Sequence, residues 1–102
     1  MNSYELKKIS AGNFLLSGVI NKKTVSELWK NRQVLQANND AISIDLTNIT
    51  HSDSAGLALL ICLQKEAVQS KIQITFVQIP DQLQQLIKLS HLQDILNARQ
   101  GI

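Results

Sequence analysis

A chain of 102 residues, 44% of them apolar, suffices for one domain (residues 1–102) with a hydrophobic core that needs no disulfide or structural metal. The formal charge of +2 comes from scattered lysines and arginines, with Lys7-Lys8 and Lys22-Lys23 the adjacent pairs, so the basic stripe with interleaved aromatics that nucleic-acid binding uses is missing. One cysteine, Cys62, in an apolar run offers neither a disulfide framework nor a cysteine zinc site, and fits a reducing cytoplasm.

Residues 1–8 carry no apolar stretch of the kind that opens a secretion signal, and no run approaches the roughly 18 apolar residues of a membrane span. Membrane association is therefore expected only through a partner. Ala11-Gly12-Asn13 is a turn-forming cluster, and strands over about residues 4–9 and 13–18 would flank it as a hairpin. Thr24-Val25-Ser26-Glu27 fits a capping box, after which Val25, Leu28, Trp29 and Leu35 recur at helical spacing up to Asn38-Asn39-Asp40. Residues 42–46 and 72–77 alternate apolar and polar, the period of strands buried on one face. Residues 54–68 read as a helix between them, which makes a strand–helix–strand crossover joining parallel strands. Pro80 and Asp81 open a third helix with Leu83, Leu86, Ile87 and Leu89 turned inward, and Leu92, Ile95 and Leu96 suggest a short final one. The fold class is α/β, a mixed sheet of about four strands with about four helices mainly on one face.

The segment from Ile42 to Leu57 joins a strand, a polar loop and a helix start, and places Ser54 at a helix N-terminus, where free N–H groups and the helix dipole favour an acceptor or a phosphate. Ser52, Asp53 and Ser54 are each good N-caps, so simple capping accounts for them equally well. Gly56, one turn into the helix, carries a propensity cost of about 1 kcal/mol and points to close approach by another element or a partner. The run Ala55-Gly56-Leu57-Ala58-Leu59-Leu60-Ile61-Cys62-Leu63 is apolar on all sides, so either the flanking helices or a partner protein must cover what the sheet does not. Trp29 is either core or an interface anchor. Ser54 with His51 and Asp45 or Asp53 has the residue types of a hydrolytic triad, but Ser52 stands where a nucleophile elbow has its first glycine. Asp45 and Asp53 lack the acidic company of a magnesium site, and no nucleotide loop occurs. No catalytic residue, metal or cofactor is expected.

With Leu16-Ser17-Gly18 after the hairpin, Ile44-Asp45-Leu46 in the central strand and Asp53-Ser54-Ala55-Gly56-Leu57 at the second helix, the chain resembles the STAS domain family of anti-sigma-factor antagonists and transporter subunits. Leu28-Trp29, eleven residues after Gly18, and Gly56-Leu57-Ala58-Leu59-Leu60 are most similar to its MlaB-like branch, the small cytoplasmic subunits of phospholipid ABC transporters in Gram-negative inner membranes. The resemblance implies a non-enzymatic subunit peripheral to the inner membrane, bound to an MlaF-like ATPase and through it to the permease, that helps maintain outer-membrane lipid asymmetry. It implies a partner-binding site of Trp29, Ser52, Asp53, Ser54, Ala55, Gly56 and Leu57. Ser54 followed by Ala55, rather than threonine followed by glycine, is closer to the phosphorylatable loop of the antagonists. The alternative it implies is an anti-sigma-factor antagonist, partnered by an anti-sigma kinase that phosphorylates Ser54.

Overall fold

A turn at Ala11-Gly12, with Gly12 at φ 76°, joins strands β1 (Tyr4–Ser10) and β2 (Asn13–Ile20) into an antiparallel hairpin. The structure, a computed structural model, describes residues 4–36, 40–90 and 98–99. After the hairpin come α1 (Lys22–Lys30), α2 (Gln33–Gln36), β3 (Ala41–Asp45), β4 (Ile49–Ser52), α3 (Ser54–Gln69), β5 (Gln73–Val77), α4 (Asp81–Leu89) and β6 (Ala98–Arg99). The sheet order is β1-β2-β3-β5-β6, with β4 also paired to β2; all pairings but that of β1 with β2 are parallel. The expected hairpin, parallel crossover and mixed α/β sheet are all present.

Alternation decides which way each strand faces. Phe14, Leu16 and Ile20 of β2, Ile42 and Ile44 of β3, and Ile74 and Phe76 of β5 are all at most 5% exposed, while the residues between them are more open. The helices cover this buried face, with α3 packed between α1 and α4. Leu83 and Ile87 anchor α4, with Leu86 partly buried beside them. Leu89 is 78% exposed, contrary to the inward orientation expected of it, because two residues past Ile87 a helix has turned to its opposite side.

Four features depart from the sequence reading. First, α1 is capped by Asn21 and not Thr24. The Asn21 Oδ1 accepts from the N–H groups of Lys23 (3.0 Å) and Thr24 (3.1 Å), and Thr24 Oγ1 accepts from the Asn21 N–H (2.8 Å), so Thr24 closes the capping box at its third position. Second, the first helix does not continue unbroken to Leu35. The Asn31 N–H donates to both the Glu27 (3.2 Å) and Leu28 (3.1 Å) carbonyls as the turn tightens, the Asn31 side chain and Arg32 Nη1 add bonds to the Glu27 (3.1 Å) and Trp29 (2.7 Å) carbonyls, and α2 restarts at Gln33. Third, half of the expected polar loop is strand. Asp45 Oδ1 accepts from the Thr47 N–H (2.8 Å) and hydroxyl, which bends the chain at the end of β3 and lets β4 pair with the second half of β2. Fourth, β6 adds a strand beside β5. The short helix expected around Leu92, Ile95 and Leu96 lies outside the described residues.

α3 ends in a Schellman motif: the Ile72 N–H donates to the Ala67 carbonyl (2.8 Å) and that of Lys71 to Val68 (3.2 Å), with Lys71 left-handed at φ 59°. A β-carbon is unfavourable in that conformation. Lys71→Gly should therefore stabilise the fold by about 0.5–1 kcal/mol, read as a later chemical-denaturation midpoint at unchanged slope; an earlier midpoint would show that the flexibility glycine adds to the unfolded chain outweighs the relieved strain.

Candidate functional site

β4 carries the chain to the carboxyl end of β2, pairing Ile20 with Ser52, and Asp53 then caps α3. Of three candidate caps the fold selects Asp53: its Oδ1 accepts from the Ala55 N–H at 2.9 Å, and its carbonyl from the Gly56 N–H at 3.0 Å. Ser54 is thereby left as the first helical residue and is exposed. The positive end of α3 already faces one carboxylate, so a second negative charge at Ser54 would gain from the dipole but meet Asp53.

Gly56 explains how α3 reaches the sheet. A β-carbon on it would stand 2.0 Å from Ser52 Oγ and 3.4 Å from Ile20 Cγ2. The close approach inferred from the sequence is therefore made within this chain. Ser52, 1% exposed, turns its hydroxyl to the Asp53 carbonyl (3.3 Å), and Leu57 is 6% exposed in the core. Of the expected partner-binding residues, Ser52, Gly56 and Leu57 thus shape the site from below. Ser54 is open, and Asp53, Ala55 and Trp29 are half-buried.

The all-round apolar helix is covered on most sides. Gly56, Leu57, Leu59, Leu60, Leu63 and Ala67 are buried by the sheet, α1 and α4. What stays exposed is one stripe of Ser54, Ala58, Cys62, Lys65, Val68 and Gln69, with Ile61 half-exposed beside it and Val68 65% exposed. The short side chains of Ser54, Ala58 and Cys62 leave the backbone in the first two turns of α3 approachable. The sequence does not mark the stripe, since Ala55, Gly56, Gln64 and Ala67 are equally small or polar and lie off it.

Trp29 packs its ring partly against the core, and the Arg32 guanidinium lies 3.9 Å over the ring centroid. Arg32 Nε also donates to Glu66 Oε2 at 2.6 Å, tying the end of α1 to the last turns of α3. Glu66 is twelve residues along α3 from Ser54, roughly 18 Å at the helical rise. Trp29, held beside Glu66 through Arg32, therefore lies toward the far end of α3 from Ser54 and about a third of a turn around the helix from it. Arg32 and Glu66 gave no signal in the sequence, since 34 residues separate them.

Of the two carboxylates a triad could use, Asp45 is turned into its own loop and Asp53 accepts from the Ala55 N–H at the start of α3. Among the described residues no three histidine, cysteine, aspartate or glutamate side chains gather as metal ligands, and no helix is long and apolar enough to cross a membrane.

Tyr4 lies where β1 meets the helical layer, with Glu27 and Asn31 beside its hydroxyl. Burial first, then the Glu27 charge, raise its pKa above the ordinary 10.0. The folded state thus favours the neutral phenol, so the stability it adds is present below about pH 10 and is lost as pH rises through the raised value. As the sole tyrosine, its tyrosinate absorbance should titrate later in the folded chain than in denaturant; coincident curves would rule this out.

The family model described as MlaB, STAS domain, matches residues 10–97. No curated protein sequence matches the chain. Among solved structures, the anti-sigma factor antagonist SpoIIAA in its unphosphorylated form superposes with a TM-score of 0.71 at 12% identity, over 93% of this chain and 86% of that one. An assigned anti-sigma factor antagonist from Thermotoga maritima gives 0.77 at 16% identity, over 97% and 87%. At such identities the likeness is one of fold. The matched length, the β4–Asp53–Ser54 junction and the helices on one sheet face together make this chain a member of the MlaB-like STAS domain family.

Proposed function

We propose that this domain is a non-enzymatic subunit that docks on the cytoplasmic ATPase of an inner-membrane phospholipid ABC transporter, supporting maintenance of outer-membrane lipid asymmetry. The observation that carries the reading is the open stripe of α3 headed by Ser54, left uncovered by α1 and α4, in a chain of the MlaB-like family. In this reading Ser54, Ala55 and Asp53 meet the ATPase at the start of α3, and Trp29 meets it from the end of α1. The domain sits in the cytoplasm and reaches the membrane through the ATPase and its permease. Affinity purification of the tagged chain from native membranes in mild detergent tests it: co-purification of an ABC ATPase with its permease is expected, and their absence would overturn it.

Ser54→Glu should weaken docking by about tenfold or more, because a carboxylate is desolvated there beside Asp53, whereas Ser54→Ala should change it little. Titration calorimetry against the ATPase reads both; equal affinities would put Ser54 outside the contact.

A second reading is favoured by the exposed Ser54 hydroxyl in a fold shared with SpoIIAA. In it the partner is an anti-sigma kinase, and phosphate on Ser54 adds nearly two negative charges that break the complex. A phospho-Ser54 species in the intact mass of the native protein, with a soluble kinase and no membrane subunits in the purification, would establish that reading over the transporter one.

A further inference from the structure

β1 is an edge strand: among the described residues it pairs with β2 alone, and its other side offers unpaired backbone groups. Edge lysines such as Lys7 and Lys8 ordinarily repel a neighbouring strand. Here Glu5 stands two residues before Lys7 on the same sheet face. Across β2, Glu5 faces Ser17 and Lys7 faces Leu15, so neither charge finds an opposite one there.

Because alternate residues of an edge strand turn both backbone groups outward, two identical strands can pair antiparallel only about a two-fold axis that falls on a residue. An axis on Glu5, Lys7 or Lys8 sets like charges face to face. An axis on Leu6 sets Glu5 against Lys7 twice, and Tyr4 against Lys8 twice, with Leu6 against itself at the centre. The irregularity between Lys8 and Ser10 limits the match to Tyr4–Lys8. Beside this segment a groove of about 340 Å³ opens between β1 and the helices, lined by Tyr4, Glu5, Leu6, Leu28, Asn31 and Val34, and Val34 is 51% exposed. Partner Leu6 and Tyr4 side chains on the helix side of the seam would fill it.

We propose that this edge is a self-association site: a second copy of the chain pairs its β1 antiparallel to the first about Leu6, extending the sheet across a two-fold axis, with reciprocal Glu5–Lys7 ion pairs selecting the register. The site is on the opposite side of β2 from β3 and β4 and is independent of the docking role proposed for α3.

Sedimentation velocity of the purified chain, from micromolar to millimolar concentration, should show the 11.4 kDa monomer giving way to a dimer. Glu5→Lys and Lys7→Glu each replace two attractive pairs by two repulsive ones and should raise the dissociation constant about tenfold or more. An equimolar mixture of the two variants should associate again, because the two lysines of one then face the two glutamates of the other. Both positions are exposed, so the unfolding midpoints should stay at that of the parent; if either variant fails to fold, Glu5→Gln and Lys7→Gln give the same loss in smaller degree. A chain that stays monomeric, variants that associate like the parent, or a mixture no better than its components would each overturn the proposal.

Discussion

Gly56→Ala should destabilise the domain by about 2–3 kcal/mol, lowering the melting temperature by roughly 10–20 °C, although alanine is the better helix former by about 1 kcal/mol. The reason is local: the new methyl would lie 2.0 Å from Ser52 Oγ, and Ser52 is packed under α3 with 1% exposure. Either the hydroxyl leaves its place by the Asp53 carbonyl or α3 lifts from β4. Ser52→Ala alone should cost only about 0.5–1 kcal/mol, as one long hydrogen bond is lost. The double variant is the decisive measurement. Without the hydroxyl the nearest atoms would be Ser52 Cβ and Ile20 Cγ2, each at 3.4 Å, an ordinary contact, so the two changes together should cost far less than their sum. Additive losses in denaturant titrations would mean that Gly56 is required for something other than the room it leaves Ser52.

Ala58→Arg should weaken partner binding by about thirtyfold or more, a loss of about 2 kcal/mol, while leaving stability within about 0.5 kcal/mol of the parent. Ala58 lies in the open α3 stripe, so a long charged side chain there holds a partner away without touching the core. Trp29→Ala should behave differently. Its ring is packed against the core and under Arg32, so truncation should reduce stability by about 2 kcal/mol, less than a fully buried tryptophan would, as well as weaken docking by a similar amount. Unchanged affinity in Trp29→Ala, with lower stability, would make Trp29 a core residue only. Unchanged affinity in Ala58→Arg would move the docking surface off α3.

Much of this fold follows from local patterns. Two-residue alternation at Ile42-Ser43-Ile44-Asp45 and Ile74-Thr75-Phe76-Val77 specifies half-buried strands wherever they pair, and Ala11-Gly12 specifies the hairpin that precedes them. The identity of Ser54 as the residue opening α3 was legible for the same reason, since Asp53 and Ser54 stand just before an apolar run. Which of three capping residues serves was not, because all three have the chemistry and only the path of β4 decides between them. β4 carries no local pattern of its own: Ile49-Thr50-His51-Ser52 is short and polar, and it is a strand because β2 offers it a free edge beyond the end of β3.

By itself, then, the sequence determined the class of the fold, the order of its main elements and the place of Ser54, all of which depend on neighbours a few residues away. Tertiary structure alone decided which of the site residues face outward. Ser52, Gly56 and Leu57 belong to the same short stretch as Ser54, yet the β4–α3 contact buries them and leaves Ser54, Ala58 and Cys62 in the open. It also decided that Arg32 covers Trp29 and clasps Glu66, a contact across 34 residues that no local spacing encodes. Burial depends on what packs from the far side of the chain, and that is known only once the chain has closed on itself.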